Sequence, residues 1–203
     1  MFRIRKTILA FVFTAVAMFA ANTGAAQNLL QNGMFNSGKD RSVTRWIFPP
    51  GSLKAHGADA EKITWGSEVL AEGGAEGGNR VAFIATITPV KARIWWQQEV
   101  VAEGGATYVL SVRIAGDVPT KTAANGKPGY ASTDIGIYFL DANNKWIGYQ
   151  RLPPDSFPSD WKTVTFKTTA PDNTAKIGVR LGISANVEIK AHFDDAVLVT
   201  IDE

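Results

Sequence analysis

The chain has 203 residues, no cysteine, and a formal net charge of +2 at pH 7, from 21 Lys and Arg against 19 Asp and Glu residues. The lack of cysteine excludes disulfides, zinc–thiolate centres and thiol nucleophiles. Three of the basic residues lie in the first six positions and no acidic residue lies before position 27, so the rest carries a net charge of −1. We therefore expect neither a nucleic acid nor an anionic membrane surface as a partner.

The first 26 residues have the pattern of a signal peptide. Residues 1–6 are basic, residues 8–21 are mostly apolar, and small residues precede position 27. An uncleaved membrane anchor is the alternative, but the apolar core is shorter than the roughly 20 residues that a span needs. We expect residues 1–26 to be removed, so that residues 27–203 form one secreted or periplasmic domain with no remaining membrane attachment.

Nine segments beyond the signal peptide have the alternation and the β-branched and aromatic content of strands. Gly, Pro, Asn and Asp residues separate them, and we find no sustained helical period. This pattern predicts an all-β domain, a β-sandwich of short strands. In chain order the predicted strands cover residues 63–70, 81–87, 93–100, 107–114, 134–140, 145–150, 161–168, 177–183 and 191–199.

The order of these features resembles the carbohydrate-binding modules of families 4 and 9, whose fold is a galactose-binding-like jelly roll. The resemblance implies a jelly-roll sandwich that binds a poly- or oligosaccharide without catalysis. It spans nearly all of residues 28–200. The residues that carry it are Asn28-Leu29-Leu30-Gln31-Asn32-Gly33-Met34-Phe35, Trp46, Gln98-Glu99-Val100, Gly105, Tyr108 to Ser111, Ile137-Tyr138-Phe139-Leu140-Asp141, Trp161-Lys162-Thr163-Val164, Ala170-Pro171 and Phe193-Asp194-Asp195-Ala196-Val197-Leu198.

The resemblance also implies a structural calcium ion that ties the start of the domain to its last strand. Carried over by position, its ligands are the amide oxygen of Asn36, an aspartate from Asp194 and Asp195, and nearby backbone carbonyls, all hard oxygen ligands. Where these modules usually carry Glu, this chain has Asn36, which removes one negative charge. The alternative is that both aspartates only hydrogen-bond backbone amides and turns.

A ligand-binding face follows from strand alternation combined with the resemblance. Gln98 and Val100 match the core-facing positions of the modules, so the odd-numbered residues of that strand face outward. The same alternation places Tyr138 of the strand at 134–140 and Arg180 of the strand at 177–183 on the outside. Gly178 and Gly182, on either side of Arg180, are expected to expose the sheet surface there. An aromatic ring packs on a sugar ring while amides and guanidinium groups bind hydroxyls. The candidate residues are Arg93, Trp95, Gln97, Tyr138 and Arg180, with ordinary solvated strand positions as the alternative reading.

The sequence favours a protein that is not an enzyme. It contains no Gly-x-Ser-x-Gly elbow, no His-Glu-x-x-His motif and no P-loop. Asp194 and Asp195 are neighbours in a strand and are expected to point to opposite faces, so they do not form a glycosidase pair. Two alternatives stay open: a structural or adhesive jelly roll that binds protein partners, and a small polysaccharide lyase or hydrolase.

Overall fold

The computed structural model describes residues 27–49, 60–70 and 80–201, and the predicted signal peptide lies outside these ranges. In the described ranges no helix has the length and apolar character that a membrane span requires. They hold one 3-10 helix, Ala60–Lys62, and eleven strands. The strands are β1 Gly38–Lys39, β2 Ser42–Val43, β3 Ile63–Val69, β4 Arg80–Thr86, β5 Ala92–Val101, β6 Thr107–Asp117, β7 Ala131–Leu140, β8 Trp146–Arg151, β9 Lys162–Thr169, β10 Lys176–Ala185 and β11 Ile189–Ile201.

Strands β3 to β11 form two antiparallel sheets that pack face to face as a jelly-roll β-sandwich. One sheet has the order β5-β10-β7-β8 and the other the order β3-β4-β11-β6-β9, while β1 and β2 pair with each other. Neighbours in each sheet are mostly distant in sequence, as in jelly rolls. The all-β prediction is confirmed, and each of the nine predicted strands overlaps one of β3 to β11.

The inner faces of the two sheets supply the core. Trp96 is 1% exposed and its indole Nε1 donates to the Phe83 carbonyl at 3.2 Å. Gln98, two residues further along β5, also faces inward and is buried. Its side-chain amide accepts from the Gln31 backbone N–H at 2.7 Å and donates to the Gln31 carbonyl at 2.8 Å. Both polar groups of the amide are thereby satisfied, which permits their burial.

The first described segment is hydrogen-bonded to the last strand. The Asn28 side chain donates to the Ala196 carbonyl at 3.1 Å and accepts from the Leu198 N–H at 2.9 Å. The Leu29 N–H donates to the Leu198 carbonyl at 2.8 Å, and the Ala196 N–H donates to the Gly33 carbonyl at 2.9 Å. These bonds join the two ends of the domain.

Strand β7 is buried on both faces, although only one face points to the core. All residues from Thr133 to Leu140 are buried, including Asp134 and Tyr138, which point outward. An antiparallel sheet with one solvated face would leave such residues exposed. Other side chains must therefore cover the outer face of the four-stranded sheet.

Candidate functional site

The five residues predicted to bind a ligand lie on the outer face of the four-stranded sheet β5-β10-β7-β8, called the outer face below. The antiparallel register accounts for this arrangement, because Arg180 of β10 lies between Gln97 of β5 and Gly136 of β7. Gly178 is likewise paired with Tyr138 and Gly182 with Trp95. The structure thus brings together Arg93, Trp95, Gln97, Tyr138 and Arg180, while their role in binding stays a prediction.

The two glycines on either side of Arg180 do not expose the sheet, so that expectation was wrong. A Cβ atom on Gly178 would overlap the ring and hydroxyl of Tyr138. A Cβ atom on Gly182 would lie 2.6 Å from the Trp95 Cβ. The missing side chains make room for Tyr138 and Trp95 to lie across β10, one on each side of Arg180.

The Arg180 guanidinium is surrounded by four aromatic rings. Its Cζ lies 4.2 Å from the centroid of Trp95, 4.7 Å from Tyr138, 5.2 Å from Trp146 and 5.4 Å from Tyr149. These distances are within the range of cation–π attraction. Burial lowers the pKa of Arg180 from its ordinary value, and the group still carries its charge at neutral pH.

Beside this ring of aromatics, Asp134 is the centre of a charged network. It is 1% exposed and accepts two hydrogen bonds from Arg93, at 2.7 Å from Nε and 3.2 Å from Nη2. Nη1 of Arg151 lies 3.5 Å from Oδ1 of Asp134, the oxygen that also accepts from Nη2 of Arg93, and the Tyr149 hydroxyl donates to the same oxygen at 3.3 Å. The hydrogen bond to Asp134 raises the pKa of Arg93, and burial raises the pKa of Tyr149. The buried carboxylate is therefore fully paired.

The aromatic rings differ in their access to solvent. Tyr138 is 3% exposed and its hydroxyl donates to Glu99 at 2.6 Å, while burial raises its pKa. Trp95 is 7% exposed, and its indole N–H donates to Gln97 at 3.0 Å. Trp146 is 47% exposed and stacks on Tyr138, with centroids 5.1 Å apart and planes inclined by 10°. Trp146 is therefore the aromatic side chain of this face that offers most surface to a ligand.

Sequence alternation missed Trp146, Tyr149 and Arg151. The last two lie opposite Tyr138 and Gly136 in the β7–β8 pairing, so parity across the hairpin could have found them. Trp146 could not be found in this way, because the register shifts between Phe139 and Leu140. Phe139 pairs with Gly148 and Leu140 with Trp146, so Ile147 is the additional residue of a β-bulge. The bulge redirects Trp146 to the outer face.

The residues predicted to bind calcium lie near the other sheet. Asp194 is 2% exposed and accepts from the Asp195 N–H at 2.8 Å, and Asn36 is exposed. The register of β11 shifts between Asp194 and Val197, and Asp195 has a positive φ of 47°. Its carboxylate lies 3.7 Å from Nη1 of Arg113, the residue paired with Asp194.

A bulge therefore interrupts the alternation at the two aspartates, so alternation no longer determines which faces they point to. In the described ranges, no group of three or more His, Cys, Asp and Glu side chains has the arrangement of a metal site. A calcium ion takes six to eight oxygen ligands. The buried Asp194 carboxylate fits that chemistry as a single anionic ligand, and backbone carbonyls would have to supply most of the others.

The sequence matches no protein-family model and no curated protein sequence. Its structure is similar to that of a cyclase from Fischerella sp. TAU, with a TM-score of 0.61, 16% identity, and coverage of 87% of this chain and 98% of the cyclase. It is also similar to the enzymatically active domain of tailspike protein 4 from bacteriophage CBA120, with a TM-score of 0.60 and 12% identity over 86% of this chain. The match spans 21% of that tailspike chain.

Carbohydrate-binding modules share the same fold. A family 61 module solved with β-1,4-galactotriose has a TM-score of 0.55 and 14% identity, and the match covers 87% of this chain and all of the module. Modules of family 4 and of family 22, the latter a xylan-binding domain from Paenibacillus barcinonensis, are also similar. The fold is thus one that several families of carbohydrate-binding modules share with the cyclase and the tailspike domain, and the likeness does not single out families 4 and 9.

Proposed function

We propose that this protein binds a poly- or oligosaccharide on the outer face of its four-stranded sheet and does not catalyse a reaction. The observation that carries the proposal is the exposed ring of Trp146, stacked on Tyr138 and placed beside the guanidinium groups of the same face. Solved modules of the same fold include one with bound galactotriose and a xylan-binding domain, which supports the proposal.

The chemistry of the face suits a sugar. A pyranose presents an apolar CH face that packs on an aromatic ring and hydroxyls that need polar partners. Trp146 offers the ring, already fixed by its stack on Tyr138. The side chains of Arg93 and Arg151 are 38% and 44% exposed, so their remaining N–H groups can donate to hydroxyls. Both are held by Asp134, so little side-chain entropy is lost on binding.

The carboxylates of this face suit a binding role better than a catalytic one. Asp134 is buried and held by two arginines and a tyrosine, and Glu99 accepts from the Tyr138 hydroxyl. A general acid or base must contact the reacting atoms of the substrate, and both carboxylates are already bonded to protein groups. Because enzymes share this fold, the proposal requires that no product is released from any polysaccharide that the protein binds.

Affinity electrophoresis in gels that contain single polysaccharides tests the proposal. We expect the wild-type protein to be retarded by at least one glycan, and Trp146→Ala to lose most of that retardation. Trp161→Ala is the matched control, because this partly exposed tryptophan lies just before β9 of the other sheet, near His192 and Arg113. Equal loss in both variants, or no retardation of the wild type, would reject the assignment.

We also propose export to the periplasm or the medium, and a calcium ion at the start of the domain. Export follows from the pattern of residues 1–26 and is tested by N-terminal sequencing of the protein recovered from each cell fraction. The calcium proposal depends on the buried Asp194 beside the hydrogen bonds that join the domain ends. A protein that retains residues 1–26, or one indifferent to a chelator, would remove the respective proposal.

A further inference from the structure

Arg180 has no anionic partner within the described ranges. The carboxylates of the outer face named above, Asp134 and Glu99, are both bound to other residues. The Nε of Arg180 is buried and has no hydrogen-bond partner. A ligand cannot reach the buried Nε, but Arg180 as a whole is partly exposed, so the other N–H groups of its guanidinium are the ones that a ligand oxygen can accept from.

The outer face also has an excess of positive charge. Arg93, Arg151 and Arg180 stand against the carboxylates of Asp134 and Glu99. Lys176 adds a further cation at one end of β10, where its Nζ donates to the Asn144 side chain at 2.7 Å. Since Asp134 is bonded to Arg93 and lies near Arg151, its charge offsets that of Arg180 only in part.

The guanidinium of Arg180 is held in place. Trp95 and Tyr138 lie across β10 at the two glycines beside it, and Trp146 and Tyr149 approach it from β8. Moving the side chain away would break cation–π contacts with four rings. A ligand on this face therefore meets a fixed cation between aromatic rings, instead of an open aromatic platform.

We infer that the glycan bound on the outer face is acidic, and that its carboxylate or sulfate binds Arg180. This inference depends on the carbohydrate-binding function proposed above and specifies the ligand class. Guanidinium groups bind carboxylates and sulfate-like oxyanions through charge-assisted hydrogen bonds, often in pairs. The exposed ring of Trp146, whose centroid is 5.2 Å from the Arg180 Cζ, is close enough to pack on the same or the next sugar.

Calorimetry with matched pairs of glycans tests the inference. One pair is glucuronoxylan and the same polymer after reduction of its uronate carboxyls to alcohols; the other is a sulfated galactan and its desulfated form. The first pair reports carboxylate recognition and the second sulfate recognition. Arg180→Gln removes the charge and keeps the side chain as far as the position of Nε, and Arg180→Ala removes the whole group. Arg113→Ala is the control, because Arg113 lies over one ring, Trp161, at 5.4 Å on the other sheet.

We expect the wild-type protein to bind the acidic member of at least one pair about tenfold more tightly than the neutral member, as one charge-assisted contact allows. The preference should vanish in both Arg180 variants and persist in Arg113→Ala, with melting curves showing that each variant is folded. Equal binding of acidic and neutral members would overturn the inference and leave the proposed function standing. Tighter binding of neutral glycans by Arg180→Ala would also overturn it, because Arg180 would then act as a cover over Trp95 and Tyr138. Binding to none of the four would overturn the inference, while the proposed function is decided separately by the affinity gels.

Discussion

Replacement of Gly178 by alanine tests the packing of the outer face. The added Cβ would overlap the Tyr138 ring, which is 3% exposed and lies between Trp146 and Arg180. The backbone at Gly178 has no positive φ, so the substitution strains no dihedral angle. Any loss of stability therefore comes from displacement of the Tyr138 side chain.

The cost follows from what the displaced ring loses. Overpacking of a buried site costs about 1–3 kcal/mol. The hydrogen bond from the Tyr138 hydroxyl to Glu99 contributes about 1 kcal/mol, because Glu99 is exposed. Together these predict that the free energy of unfolding falls by about 2–4 kcal/mol. The stack with Trp146 is disturbed at the same time, so near-UV circular dichroism should change.

Urea denaturation of the wild type, Gly178→Ala and Gly148→Ala gives the comparison. Gly148 belongs to the same sheet, and its added Cβ would lie 3.9 Å from the nearest atom, a carbon of Phe139. Because alanine lowers the entropy of the unfolded chain, this control should be unchanged or more stable by up to about 1 kcal/mol. If Gly178→Ala were as stable as the control, Tyr138 would not lie across β10 as described.

Three further predictions concern the other parts of the domain. A Cβ on Gly33 would overlap the Ala196 carbonyl oxygen, so Gly33→Ala should lower the free energy of unfolding by about 2 kcal/mol in the same urea assay. An unchanged midpoint would contradict the close contact between residue 33 and the last strand. Burial lowers the pKa of His192, because its effect is larger than that of the hydrogen bond to Glu68. The unfolded chain therefore binds a proton at this histidine more readily than the folded chain, and the free energy of unfolding should fall as the pH drops through about 6.5. A His192→Gln variant with the same pH dependence would refute this. Melting with calcium and then with a chelator should show a lower midpoint in the chelator, an effect absent in Asp194→Asn, and equal midpoints for the wild type would exclude the ion.

Much of the fold was predictable because local patterns and tertiary structure agree. Each predicted strand corresponds to an observed one, and the inward position of Gln98 agrees with its burial. The register of β5, β10 and β7 then brings Arg93, Trp95 and Arg180 onto one face, as alternation required. Regular pairing carries parity from one strand to the next, so these positions follow from sequence alone.

The features that could not be predicted arise where strand pairing is irregular or where a side chain lies flat across a neighbouring strand. The bulge at Ile147 redirects Trp146, and the bulge after Asp194 turns Asp195 towards Arg113. A bulge adds one residue to one strand, and alternation has no means of locating it. From the sequence, Gly178 predicts an open sheet surface, but in the fold the ring of Tyr138 occupies the space beside it.

Nuclear magnetic resonance of the tryptophan indole N–H groups can show whether the outer face binds carbohydrate, because each signal reports the surroundings of one ring. Trp146 and Trp95 belong to the outer face, and Trp161 to the opposite sheet beside His192. In a titration with an oligosaccharide selected by affinity electrophoresis, we expect a saturable shift of the Trp146 signal, a smaller one for Trp95 and none for Trp161. A shift confined to Trp161, or a bound oligosaccharide that leaves the Trp146 signal unmoved, would contradict this expectation.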